Sequence, residues 1–208
     1  SSFSIRSDLP TTLAFVRLTD GHATYTFYDE NTAGRSLTPE QVPEVPNTIE
    51  ALYFGGISLI SEPCADFYAA LAIRESARRT IMLDPNIRPG FIKDEDRYRD
   101  RLNRMIAAAD IVKVSDEDLD WIVPGEDTMS GKTRHLLDQG PKMVVVTRGS
   151  AGATAFLPEQ DAIEVPAPKA TVVDTVGAGD TFNAGFLAQL ATDGLLSKQK
   201  LKTLTPAN

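Results

Sequence analysis

The chain has 208 residues, 42% of them hydrophobic and 24% charged, with a formal net charge of −8. That length can bury one good core and suggests one domain or slightly more. The acidic balance, with no basic stripe, argues against a nucleic-acid or anionic-membrane partner. Cys64 is the sole cysteine, which excludes an internal disulfide and fits a reducing cytoplasm. The sequence shows no signal-peptide pattern and no apolar run long enough for a bilayer, so the expected location is cytoplasmic.

In chain order, residues 12–18 and 22–28 are β-branched and aromatic, and they flank Thr19-Asp20-Gly21, a hairpin signal. An antiparallel hairpin at this point either edges the main sheet or projects from it. After a proline-containing connector (Leu37 to Pro46) strands and helices alternate. Residues 51–57 read as a buried strand and 63–78 as a helix with Phe67, Ala70 and Leu71 inward. Residues 80–84 read as a strand, 94–109 as a helix, 110–114 as a strand, and 115–122 as a short helix. A helix at 130–139 leads to Lys142-Met-Val-Val-Val-Thr147, the strongest strand signal of all. This alternation predicts an α/β fold: a Rossmann-like, mostly parallel sheet with helices on both faces, plus a small β unit at the N-terminus. Ligands of such sheets sit at the carboxyl ends of the strands.

Residues 174–186, Asp-Thr-Val-Gly-Ala-Gly-Asp-Thr-Phe-Asn-Ala-Gly-Phe, carry the strongest chemical signal. Val172 and Val173 lead in as a short strand, Gly177 and Gly179 break it, and Phe182, Phe186, Leu187 and Leu190 follow at helical spacing. Free N–H groups in a helix's first turn, with the dipole behind them, form an anion site. Glycines let that backbone approach a ligand closely. Asp180 then stands where the helix field favours negative charge, placed as a general base beside a phosphate site. On residue types alone, Asp180 is equally a helix cap, and Gly-x-Gly a common turn. No Gly-x-x-x-x-Gly-Lys-Ser/Thr loop is present, so the chain is not a P-loop enzyme.

The segment from Asp174 to Gly185 resembles the C-terminal signature of the ribokinase-like (PfkB) sugar kinases. The resemblance implies that Gly177, Ala178 and Gly179 hold the charge of the transferred phosphoryl group, while Asp180 binds and deprotonates the sugar hydroxyl. It implies ATP and Mg²⁺ as cofactors, with K⁺ at a monovalent-cation site formed by Asp174 and the Val176 carbonyl. It makes residues 1–36 lid strands closing on the sugar, and residues 37–208 the kinase domain, both incomplete. Lids of this kind often pair with another subunit, so a homodimer through the lid strands is expected. Relative to the family, the chain looks shortened at both ends.

Three further stretches fall at strand ends. Asp84-Pro85-Asn86-Ile87-Arg88 reads as an Asx turn with a surface arginine. It also resembles the family's Asp-x-Asn-x-Arg segment, in which the Asp and Asn order metal and phosphates and the Arg, here Arg88, reaches substrate. Ser115 and Asp118 read as a capping arrangement. They stand where the family often has Asn-x-x-Glu, which implies nucleotide contact by Ser115 and water-mediated Mg²⁺ binding by Asp118. Thr147-Arg148-Gly149-Ser150-Ala151-Gly152 reads as a glycine turn, and resembles the family's nucleotide-contacting Thr-x-Gly-x-x-Gly, implicating Thr147, Gly149 and Gly152. Trp121, His22 and His135 read as packing or surface residues. In the lid, Phe27 and Asp29 are expected to face the sugar. A carboxylate at Asp29 would repel an acidic substrate by roughly 1–4 kcal/mol. The expected activity is therefore phosphorylation of a fructose-like ketose, with 2-dehydro-3-deoxygluconate as the alternative substrate, and a catalytically silent nucleotide-binding fragment as the second alternative.

Overall fold

A computed structural model describes residues 4–19, 22–172, 174–201 and 203–204. Near the N-terminus, β1 (Leu13–Thr19) and β2 (His22–Tyr28) pair antiparallel as a separate two-stranded sheet, with Leu13 opposite Tyr28. The turn expected at Asp20-Gly21 lies outside the described residues. The β-branched segments that follow pair in chain order into one six-stranded sheet. Its parallel part comprises β3 (Ala51–Gly55), β4 (Thr80–Asp84), β5 (Ile111–Ser115) and β6 (Met143–Thr147). Two short antiparallel strands, β7 (Ala153–Phe156) and β8 (Ile163–Val165), extend it. These two were not anticipated. They are brief, half-buried and interrupted by Pro158-Glu159-Gln160, so neither carries a long apolar run.

The helices are α1 (Cys64–Glu75), α2 (Glu95–Ala108), α3 (Asp116–Ile122), α4 (Met129–Leu137), α5 (Ala178–Thr192) and α6 (Lys198–Leu201). Two apolar clusters show that they cover both faces. On one, Phe54, Ile81, Leu83, Val112, Val114, Val144 and Val146 meet Ala69 and Ala72 of α1, Leu102, Met105 and Ile106 of α2, Leu119 of α3 and Leu136 of α4. On the other, Met82, Ile111, Met143 and Val145 meet Phe182, Phe186 and Leu190 of α5 and Leu201 of α6. The β-period of two divides each strand between these clusters.

That alternation positions the site. On the α5 face, Met82 is followed two residues later by Asp84, Ile111 by Lys113 and Val145 by Thr147. The face is apolar through its middle and polar at its carboxyl end. Among the described residues no strand leads into the glycine turn. Val172 is unpaired and 72% exposed, and Val173 lies outside the described residues.

Candidate active site

Helix α5 begins at Gly177, whose φ of 78° lies in the left-handed region that glycine adopts without a side-chain penalty. The approach is a tight Asx turn: the Val176 N–H donates to Asp174 Oδ1 at 2.9 Å, and the Ala178 N–H to the Thr175 carbonyl at 3.2 Å. The helix runs fifteen residues from Ala178, so its first-turn N–H groups present a positive end to solvent. Asp180 lies in that first turn, exposed, and its carboxylate makes no hydrogen bond or ion pair among the described residues. Asp174 and Val176 are also exposed. Among the described residues no three His, Cys, Asp or Glu side chains cluster as a ready metal site.

Beneath the turn lies a buried polar group. Lys113 Nζ donates to Asp84 Oδ2 at 3.0 Å, and Asn183 Nδ2, one helical turn after Asp180, donates to the same oxygen at 2.7 Å. Asn183 Nδ2 also reaches the Tyr53 hydroxyl at 3.0 Å. Asp84, Lys113 and Asn183 are all buried, and Asp84 Oδ1 and Asn183 Oδ1 have no partner among the described residues. A Cβ built on Gly179 would come 3.4 Å from Lys113 Nζ, so the ammonium sits against the glycine turn. A cation at a helix N-terminus is unfavourable by itself. Asp84 offsets it, and so would an anion bound at the turn. Burial raises the Tyr53 phenol pKa, and the charges of Asp84 and Asp180 raise it further, against the Asn183 hydrogen bond.

The turn after β6 joins this arrangement. A cavity of 490 Å³ is lined by Thr147, Gly149 and Gly152 on one side and by Ala178, Gly179, Phe182 and Phe186 of α5 on the other. Gly149 (φ 51°) and Gly152 (φ 94°) both need the left-handed region. At Gly152 a Cβ would also fall 2.1 Å from the Val165 carbonyl of β8.

Ser115 and Asp118 form the expected capping box: the Asp118 N–H donates to Ser115 Oγ at 3.0 Å, and the Ser115 N–H reaches Asp118 Oδ2 at 3.5 Å. Asp118 Oδ1 accepts from the Ile87 N–H at 3.0 Å, which ties the turn after β4 to the start of α3. Both oxygens are thus engaged, and burial raises the carboxyl's pKa above its usual 3.8. This geometry gives Asp118 a structural part, joining the turn after β4 to the start of α3. Asn86 takes a positive φ of 43° in the same turn. Arg88 is exposed and donates from its guanidinium to the Ile87 carbonyl at 2.8 Å.

A second cavity, of 670 Å³, lies between the two-stranded sheet and the main body, and Phe27, Asp29 and Arg35 line it with Ile57, Ser61 and Phe91. Phe27 meets Phe91 edge to face at 5.3 Å. Asp29 is not a free negative charge. Its Oδ1 pairs with Arg35 at 2.8 Å and its Oδ2 accepts from Ser61 Oγ at 2.7 Å, while Arg35 Nε donates to the Glu62 carbonyl. The expected repulsion of an acidic substrate is therefore largely cancelled by Arg35.

Of the residues expected at the site, the structure brings Thr147, Gly149, Gly152, Ala178 and Gly179 around one cavity, with Asp180 in the same helical turn. Phe27 and Asp29 line the other. Sequence reasoning gave no role to Tyr53, Lys113 or Asn183. The available signal was the alternation within β4 and β5, which puts Asp84 and Lys113 on the face of Met82 and Ile111. The α5 helix passes over that face.

Residues 1–202 match the pfkB family of carbohydrate kinases. A fructokinase from Rhizobium leguminosarum bv. trifolii is 52% identical over 197 residues, covering 94% of this chain and 59% of that protein. A fructokinase from Klebsiella pneumoniae is 38% identical over 176 residues, covering 84% of this chain and 57% of that protein. The chain thus spans less than two thirds of the length of these two relatives. Among solved structures, fructokinase with bound ATP from Xylella fastidiosa superposes with a TM-score of 0.78 at 25% identity, over 90% of this chain and 58% of that one. Aminoimidazole riboside kinase from Salmonella enterica, complexed with its riboside and an ATP analogue, gives a TM-score of 0.71 at 27% identity, over 86% and 59%. The fold is ribokinase-like, and the chain belongs to the pfkB family of carbohydrate kinases.

Proposed function

We propose that the protein is an ATP-dependent sugar kinase that phosphorylates a hydroxyl of a small, fructose-like ketose. The observation that carries this reading is an unpaired carboxylate, Asp180, in the first turn of a helix whose N-terminus is backed by a buried lysine. A base for the attacking hydroxyl and a cradle for phosphoryl charge are the two things phosphoryl transfer asks of a protein. Asp180 takes the hydroxyl proton as the sugar oxygen bonds to the terminal phosphorus of ATP and the bond to ADP breaks. The N–H groups of the Gly177–Gly179 turn meet the charge on the moving phosphoryl group. The residues fit a nucleotide: the 490 Å³ cavity beside this turn, lined by Thr147, Gly149 and Gly152, receives its base and ribose. Mg²⁺ would supply charge neutralisation across the phosphates, and Asp84, whose Oδ1 has no partner among the described residues, would be a protein oxygen available to hold it. The Asp174–Val176 turn is the place for K⁺.

Residues 1–36 act as the lid over the sugar and residues 37–208 as the kinase domain. The preference for a neutral ketose rests on the similarity to fructokinases and not on Asp29, whose charge Arg35 offsets. We further propose a cytoplasmic homodimer joined through the lid strands, with no nucleic-acid or membrane partner; no described helix is long and apolar enough to cross a membrane. The test is a coupled ADP-release assay of the full-length protein against fructose, 2-keto-3-deoxygluconate and other small sugars. Fructose as the best substrate supports the reading, the sugar acid as the best substrate replaces it, and no turnover with any sugar sinks it.

A further inference from the structure

The buried polar group under α5 has one member that reaches the surface. Tyr53 lies on the α5 face of β3, and the residue is 43% exposed. It folds back along the strand end: a Cβ on Gly55 would stand 2.7 Å from the Tyr53 hydroxyl, so the glycine is what lets the phenol lie there. The hydroxyl accepts from Asn183 Nδ2 at 3.0 Å. The orientation of that amide is fixed, because the same nitrogen must face the Asp84 carboxylate, itself held by Lys113. With its oxygen accepting from Asn183, the phenol keeps its own proton to give, and among the described residues it donates to no acceptor. A tyrosine held by three buried polar residues, with an uncommitted O–H beside the start of α5, is set up to meet a ligand. Burial and the charges of Asp84 and Asp180 keep that proton on the oxygen.

Resting on the kinase reading above, the geometry points to Tyr53 as a substrate-binding residue, its phenolic O–H donating a hydrogen bond to a sugar oxygen beside Asp180. Asn183 is the positioning residue that aims it, and Asp84 and Lys113 lock Asn183. A hydrogen bond of this kind discriminates substrates because the ligand oxygen it serves is otherwise left unpaired in the closed site.

The experiment compares the unaltered full-length protein with Tyr53→Phe, which keeps the ring and deletes only the hydroxyl. Fructose and its 3-deoxy and 4-deoxy analogues serve as substrates, and nucleotide KM and melting temperature are read alongside. The expected result is a loss of about tenfold in kcat/KM for fructose with nucleotide KM and melting temperature unchanged. That loss should vanish for the analogue lacking the contacted oxygen. Asn183→Ser, which frees the phenol from its donor, should give a smaller loss of the same substrate-dependent kind. Unchanged kinetics in Tyr53→Phe overturn the inference. So does an equal loss on all three sugars, or a loss accompanied by a higher nucleotide KM. An unaltered protein that binds ATP and turns over no sugar removes the kinase reading and this inference with it, an outcome separable from the others before any variant is made.

Discussion

At the scale of single residues, Asp180 is defined by what it lacks: a first-turn carboxylate with no partner among the described residues. Asp180→Asn is nearly isosteric, and the fold loses only the small dipole stabilisation of a surface carboxylate in a helix's first turn, about 0.3–1 kcal/mol. We expect nucleotide affinity and melting temperature to hold while kcat falls at least about a hundredfold, the range of a removed general base. Retained turnover would place the base elsewhere. Asp118 behaves in the opposite way, with both oxygens bound and the group buried. Its pKa is raised in the folded protein, so folding takes up a proton in the window between 3.8 and the raised value. The ionised group therefore costs stability above that window, and the cost disappears as pH falls through it. Asp118→Asn removes this dependence. Its disadvantage relative to the unaltered protein, read by urea denaturation, should be larger at the acid end than at neutral pH, and a pH-independent difference would contradict the assignment.

At the scale of elements, the two glycine turns at the site differ in what their glycines do. Gly152 is a packing glycine: its φ is 94° and a Cβ would meet the Val165 carbonyl at 2.1 Å. Gly152→Val should detach β8 from β7 and cost several times the ~1 kcal/mol of an ordinary left-handed substitution. Gly179 has no such backbone neighbour, only the lysine ammonium at 3.4 Å. Gly179→Val should leave the melting temperature nearly intact while turnover collapses; equal thermal losses in the two variants would erase the distinction. The parallel strands and the first four helices were legible because buried β-branched runs alternate with amphipathic stretches over most of residues 51–147. The β7–β8 pair was not, because strands of four and three residues carry too little periodicity to show. The anion turn could be read from its glycines, whereas the group beneath it depends on register. Asp84, Lys113 and Asn183 are far apart in sequence and meet only once Leu83 pairs with Val112 and α5 crosses their face.

At the scale of the whole molecule, the two-stranded sheet proposed as the lid is attached to the body by polar contacts at its base and leaves apolar side chains bare on one face. Arg35 links Asp29 to the Glu62 carbonyl, and Ser61 completes the joint. Beyond it, Leu13, Phe15 and Tyr28 lie on one face of the two-stranded sheet and are 49%, 58% and 61% exposed. Phe15 and Tyr28 touch edge to face at 5.5 Å, so the exposed patch is continuous. A two-stranded sheet is marginal in water, and an apolar face of this kind is stabilised by burial against another. A second copy of the same sheet is the occupant that the proposed homodimer supplies, by the two-fold pairing of like patches. Phe15→Asp places a charge in the middle of that contact and leaves the Asp29–Arg35 joint untouched. Sedimentation velocity of the full-length protein should give a dimer for the unaltered chain and a monomer, or a dimer weakened at least about tenfold, for the variant. The far-ultraviolet circular dichroism of the two should match, since the core contributes most of the signal. On the proposed closure of the two-stranded sheet over the sugar, the variant's KM for fructose should rise while its nucleotide KM stays put. A monomeric unaltered protein, or a dimer indifferent to Phe15→Asp, would assign the exposed face to some other contact and leave the lid to work alone.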